Sequence, residues 1–266
     1  MVSLMQLLRE VQGNPKAIIL AGAPGAGKGS ILGDLDLRGL KIFNIDASFI
    51  NLLKQSNISL DLKNHDADSR SKAAQAMAQA TNQLKKEIIP TAISNKQSFI
   101  LDGTASSYKQ TSGLKFELED AGYSVFMLYV YADLERSLQQ NQDRFEKSGG
   151  QDRSLSPSIV LSTWASVTKN YDEYKTLFGN NFVSVANTLK NQKVGDIESI
   201  INTYLTPFTP QNTKPKDEKA QAKSDASKQA LNTEVSILLK DKAINNIITN
   251  SVSKEEAQSK LKSFLS

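Results

Sequence analysis

The stretch KAIILAGAPGAGKGS, residues 16–30, limits the fold more than any other part of this chain. Its apolar half reads as a short buried strand over residues 16–22, running straight into a loop with glycines at 22, 25 and 27. A helix is expected from about Lys28. Glycines let successive backbone N–H groups turn inward around an anion, and the start of a helix adds a positive end. Lys28 supplies a cation for the outer phosphates of a nucleotide. Gly22, Ala23, Pro24, Gly25, Ala26, Gly27, Lys28, Gly29 and Ser30 are therefore the candidate phosphate cradle. Strand, loop and helix in this order imply an α/β fold with the loop at the carboxyl edge of a parallel sheet.

The rest of the chain repeats the alternation. KIFNID (41–46), QSFILDG (97–103), YSVFMLYVY (123–131) and NFVSVAN (181–187) read as four further strands. Between them, residues 50–54, 69–92, 114–121 and 134–145 read as helices. Another opens with Ser156 as N-cap and Pro157 in the first helical position and runs toward Phe178. A closing helix is expected over 196–204. The fold class is thus a doubly wound, parallel, five-stranded α/β sheet with a helical C-terminal tail. Composition changes at residues 206–228, which are polar and broken by proline and read as a flexible linker. Beyond them, residues 231–248 and 253–266 are helical, the second opened by a capping box of Ser253 and Glu256. The expected division is a domain over 1–205, a linker over 206–228 and a helical tail over 229–266, a tail too small for a core of its own.

The chain has no cysteine and a single histidine, His65, which excludes a disulfide scaffold and thiolate metal sites. His65 lies in a polar stretch and is expected at the surface. Trp164 and Tyr171, at helical spacing, are expected in the core. The formal net charge of +4 is spread along the chain and lacks the clustered basic face of a dedicated nucleic-acid binder. The N-terminus lacks a basic start and a continuous apolar run, and no segment reaches the roughly 18 apolar residues of a membrane span. A cytoplasmic location is expected, in a host cytoplasm if the protein is viral. The lysine-rich, arginine-poor composition fits an AT-rich, phage-like source.

Several residues could complete a phosphoryl-transfer site. Asp102 ends a strand, where it can hold Mg²⁺ or cap the next segment. Thr104, two residues on, can face a substrate or act as a cap. Asp46 ends another strand and reads either as proton acceptor for an attacking hydroxyl or as N-cap of the helix from Ala47. Arginine occurs only at positions 9, 38, 70, 136, 144 and 153. Arg136, Arg144 and Arg153 follow the fourth strand, on a helix and a glycine-containing segment where a lid would lie. Their forked donors can stabilise a phosphoryl group in flight, or they line a solvated face.

The loop resembles the GxPGxGKGT loop of adenylate kinases, in which the hydroxyl comes one place later than usual, here at Ser30. Taken with FNIDASF, FILDGT, AGYSVFMLYV, NQDRFE and QDRSLSP, the chain from 16 to 187 resembles the zeta-toxin-like P-loop kinases, related in fold to polynucleotide kinases. The resemblance implies an ATP- or GTP-dependent enzyme that uses Mg²⁺ to phosphorylate a hydroxyl of a nucleotide or nucleotide sugar. It places Lys28 and Ser30 on the phosphates, Asp102 and Thr104 with metal and substrate, and Arg144 and Arg153 in the charge-stabilising positions. Direct alignment sets Ser48, a poor base, in the catalytic place and Asp46 two residues before it. Ser106 stands where a substrate-facing arginine is often found. The alternatives are a 5′-hydroxyl polynucleotide kinase and a non-catalytic ATP-binding module that recruits a protein partner through its tail.

Overall fold

Residues 16–21 alternate their side chains between two apolar layers, and this places β1 (Lys16–Ala21) at the centre of the sheet. The structure, a computed structural model, describes residues 14–33, 37, 40–62, 65–188 and 218–265. β1 leads through the glycine loop to α1 (Lys28–Leu32); β2 (Lys41–Asn44) leads directly into α2 (Ile45–Gln55). A long helix, α3 (Ala67–Gln83), passes through a π-helical turn (Leu84–Ile88) into α4 (Ile89–Ser94). β3 (Phe99–Asp102), α5 (Tyr108–Asp120), β4 (Ser124–Ala132) and α6 (Leu134–Lys147) follow. After them come α7 (Pro157–Lys169), α8 (Tyr171–Phe178) and β5 (Phe182–Asn187).

The sheet has the order β2-β3-β1-β4-β5, and every pairing is parallel. The expected five-stranded α/β architecture is therefore the observed one. Ala17, Ile19, Ala21, Val125, Met127 and Tyr129 face one layer, where they meet Leu161, Trp164 and Tyr171. Ile18, Leu20, Phe126, Leu128 and Val130 face the other, with Ile31 and Leu32 of α1. Both faces of β1 and β4 are covered, which is why these strands read as unbroken apolar runs. Trp164 and Tyr171 are core residues, as expected; the Trp164 indole donates to the Ala132 carbonyl at 2.9 Å.

The helical reading is corrected at several points. The single helix expected over 69–92 contains the π turn, immediately ahead of Pro90, whose ring nitrogen cannot continue the hydrogen-bond ladder. The helix expected from Pro157 to Phe178 breaks at Asn170, where the backbone has φ −80° and ψ 0° and the side chain donates to the Ser106 carbonyl at 3.1 Å. His65 is buried, not exposed: its Nε2 lies 2.8 Å from the Ser59 carbonyl, in a loop drawn inward by a parallel bridge between Asp61 and Ser154.

Three helices close the described chain: α9 (Glu218–Lys240), α10 (Lys242–Asn250) and α11 (Lys254–Leu265). Of the expected linker, residues 218–228 are helical and 206–217 lie outside the described residues, as do residues 1–13 and the helix expected over 196–204. The tail borrows its core from the sheet. Val235, Leu238, Ile244 and Ile247 join one layer, and Ala257 and Leu261 join the other. Val252 N–H donates to the Ser184 carbonyl at 2.8 Å beside β5, and Gln258 Nε2 donates to the Ile31 carbonyl at 2.8 Å. Ser253 caps α11 through the Glu256 N–H, as the capping box implies. Among the described residues no helix is long and apolar enough to cross a membrane.

Leu261 is fully buried against the α1 side of the sheet, so Leu261→Ala is expected to cost about 2–5 kcal/mol of stability. Equilibrium denaturation of the full chain checks this. An unchanged midpoint for the main transition would mean that the tail folds apart from the sheet.

Candidate functional site

The turn from β1 into α1 works only with glycine. A Cβ at Gly22 would sit 2.4 Å from the Val130 carbonyl oxygen, and one at Gly27, with φ +87°, would sit 2.6 Å from Asn187 Nδ2. Lys28 Nζ donates to the carbonyls of Gly22 at 2.8 Å and Ala23 at 3.2 Å, so the ammonium folds back over the loop. Burial brings its pKa down to about 8, against the opposing pull of the Asp102 and Asp46 carboxylates; Arg144 and Arg153 lower it further. Ser30 Oγ donates to the Gly27 carbonyl at 2.8 Å.

Two supports of this loop lie far away in the sequence. Asn187, the last residue of β5, donates from Nδ2 to the Ala26 carbonyl at 3.0 Å. Gln140 on α6, in the amide orientation that satisfies both ends, donates to the Gly25 carbonyl at 2.7 Å and accepts from Arg136 Nε at 3.3 Å. Arg136 also donates to the Thr188 carbonyl at 3.4 Å. Holding the carbonyls of Gly25 and Ala26 outward fixes the two peptide planes on which the cradle depends. Arg136 thus belongs to the support of the loop. Nothing in the local sequence marks Asn187 or Gln140, because their partners are brought by the sheet.

The acidic side is built by β2 and β3, which pair with Asn44 opposite Asp102. Asn44 Nδ2 donates to Asp102 Oδ2 at 2.7 Å, while Asn44 Oδ1 accepts the Ala47 N–H at 3.2 Å. β2 therefore ends at Asn44, and Asn44, rather than Asp46, caps α2. Asp46 stands in the first turn and forms an ion pair with Arg153. Ser48 instead lines a cavity of about 190 Å³ with Phe43, Ile45, Leu84 and Ile88. Burial holds the Asp102 carboxyl above its usual range, with Asp46 adding to the rise; Lys28, Arg144 and the Asn44 bond oppose it.

Arg153 is 6% exposed, and its Nε has no hydrogen-bond partner. The segment carrying it is fastened on its C-terminal side. Ser154 N–H donates to the Leu60 carbonyl at 3.0 Å, and its hydroxyl donates to Asp61 Oδ1 at 2.7 Å. The buried Asn141 side chain holds Leu155 twice, donating to its carbonyl at 2.9 Å and accepting its N–H at 3.2 Å. Arg144 is half exposed and lies 3.5 Å from Asp152. Thr104 accepts the Gly22 N–H at its carbonyl, 3.1 Å, and its hydroxyl donates to Ser106 Oγ at 3.3 Å. The next residue, Ala105, takes a left-handed backbone with φ +51°, held by the Tyr174 hydroxyl donating to its carbonyl at 2.6 Å.

Lys28, Ser30, Asp46, Asp102, Thr104 and Arg153 all lie at or just beyond the carboxyl ends of strands, or are tied to groups that do. Among the described residues, no three His, Cys, Asp or Glu side chains stand together. The donor set fits a Mg²⁺ that is completed by phosphate oxygens and water, and Asp102 and Ser30 are the side chains that could hold it.

The family model described as Zeta toxin matches residues 60–199, more than half of the chain. The chain belongs to the zeta toxin family. As a zeta toxin family member with a phosphate loop on a five-stranded parallel sheet, it is a P-loop kinase, an ATP-dependent phosphotransferase. The matched stretch includes Asp102, Thr104, Arg144 and Arg153, while the phosphate loop and Asp46 precede it. No curated protein matches the chain. Among solved structures, it is similar to one from the PezAT chromosomal toxin-antitoxin system of Streptococcus pneumoniae. That likeness has 14% identity and TM-score 0.45, covering 90% of this chain and 95% of the other. It is also similar to AvrRxo1-ORF1:-ORF2 with ATP, at 15% identity and TM-score 0.49, covering 97% of this chain and 82% of the other.

Proposed function

We propose that this zeta toxin family kinase transfers the γ-phosphoryl group of ATP or GTP to a hydroxyl of a nucleotide or nucleotide-sugar acceptor. The observation that carries this reading is the Asp46–Arg153 pair placed beside Lys28 and Asp102. It sets a carboxylate and a buried guanidinium against the place where the phosphate loop delivers the transferred group. Lys28 and the loop N–H groups hold the β- and γ-phosphates. Asp102 and Ser30 would hold Mg²⁺, which when bound would neutralise charge on the phosphate oxygens. Asp46 accepts the proton of the attacking hydroxyl, and Arg153 and Arg144 meet the charge spread over the equatorial oxygens. Thr104 serves the acceptor side, while Ser48 faces the cavity beside the π turn. The C-terminal helices, with Ile237 and Ile248 exposed, offer a surface to a protein partner.

The test is transfer of labelled γ-phosphate by the full chain to nucleotide sugars, mononucleotides and 5′-hydroxyl oligonucleotides. Labelling of a nucleotide or nucleotide sugar supports the proposal. Labelling of oligonucleotides alone moves the assignment to a polynucleotide kinase, and ATP binding with no labelled acceptor moves it to a binding module.

A further inference from the structure

Asn44 ties the two halves of the acidic site together through a single side chain. It ends β2 directly opposite Asp102, donates to Asp102 Oδ2 at 2.7 Å and receives the Ala47 N–H on Oδ1 at 3.2 Å. The second bond settles the first: with Oδ1 committed to a backbone donor, the amide cannot turn over, and its NH₂ stays on the carboxylate. The first bond in turn engages one oxygen of Asp102 and limits the rotation of that carboxyl group. The second also fixes where α2 begins, and so the direction in which Asp46 leaves the first turn toward Arg153.

From this we infer that Asn44 is a positioning residue for phosphoryl transfer: it orients the metal-side carboxylate of Asp102 and sets the helix that presents Asp46. The inference rests on the kinase reading above. Aspartate and serine are as good as asparagine at an N-cap, so the cap alone does not demand this residue. An amide is demanded because the same side chain must accept from a peptide N–H and donate to a carboxylate. Serine is too short to reach the carboxylate, and aspartate has no proton to give it, placing a second negative charge against Asp102.

Asn44→Ser and Asn44→Asp separate the two roles, since both keep the cap. Asn44→Ser should melt close to wild type and bind ATP without metal as wild type does, whereas Asn44→Asp, with two carboxylates opposed, should melt lower. The affinity of Asn44→Ser for Mn²⁺ in the ATP complex, followed by electron paramagnetic resonance, should fall about 10–100-fold, the usual cost of losing a group that orients a metal ligand. Transfer at saturating ATP should fall with it, more in Asn44→Asp than in Asn44→Ser. Asn44→Ala should show the same loss together with a lower melting temperature. Wild-type Mn²⁺ affinity in a folded Asn44→Ser chain would overturn the inference and leave Asn44 as a cap alone. Failure of the wild type to label any acceptor sinks the kinase reading instead, and the Mn²⁺ comparison still decides the role of Asn44.

Discussion

Asp46→Asn is expected to leave ATP bound and to slow phosphoryl transfer about 10²–10⁴-fold, the range for loss of a positioned general base. The substitution keeps the shape of the side chain and removes its capacity to take a proton. It also removes the negative partner of the buried Arg153 guanidinium. Ser48→Ala, by contrast, changes a residue facing the cavity beside the π turn and should alter transfer little. Single-turnover transfer alongside equilibrium ATP binding distinguishes the two. Wild-type transfer by Asp46→Asn would move the base elsewhere and reduce Asp46 to an anchor for Arg153.

Lys28→Ala should weaken ATP binding on the order of 10–100-fold for each phosphate hydrogen bond removed, because a charge-assisted hydrogen bond contributes roughly 1.5–3 kcal/mol. Calorimetry on the folded variant measures it. The wild type carries a further signature. With the Lys28 pKa near 8 in the free protein, its ammonium is present below that pH and titrates away above it, while phosphate binds the ammonium. ATP affinity should therefore be highest below about pH 8 and fall by up to tenfold per unit above it, with uptake of a proton on binding. The sign for folding is opposite: the unfolded chain, with an ordinary lysine, holds this proton up to about pH 10.5, so the contribution of Lys28 to stability rises between the two values. A pH-independent affinity for the wild type, or one that Lys28→Ala leaves unchanged, would refute the placement of phosphate over Lys28.

The alternation of strands and helices was legible because parallel strands buried on both faces, such as β1 and β4, leave apolar runs that no solvent-facing element would show. The glycine loop was legible because its main requirement is local, a positive φ at Gly25 and Gly27. What escaped the sequence depends on contacts across the fold. The strand ends two residues sooner than KIFNID suggests, because Asn44 finds a carboxylate on the next strand and takes the cap from Asp46. His65 looks exposed by its polar neighbours, yet its loop is fastened to the segment around Ser154, more than eighty residues away. The C-terminal helices look too small to stand alone. They do not stand alone, and their apolar residues complete the two layers of the sheet.

The supports of the phosphate loop bear on how the chain folds. Asn187 reaches Ala26 across 161 residues, and Gln258 reaches Ile31 of the following helix α1 across 227, whereas the turn itself closes within a few residues. Contacts of such separation are made slowly, since a long stretch of chain must be brought to rest before they reward it. A refolding chain is thus expected to pair β1 with its neighbours first and to become competent for ATP only in a late kinetic phase, when β5 has docked beside the loop and α11 against α1.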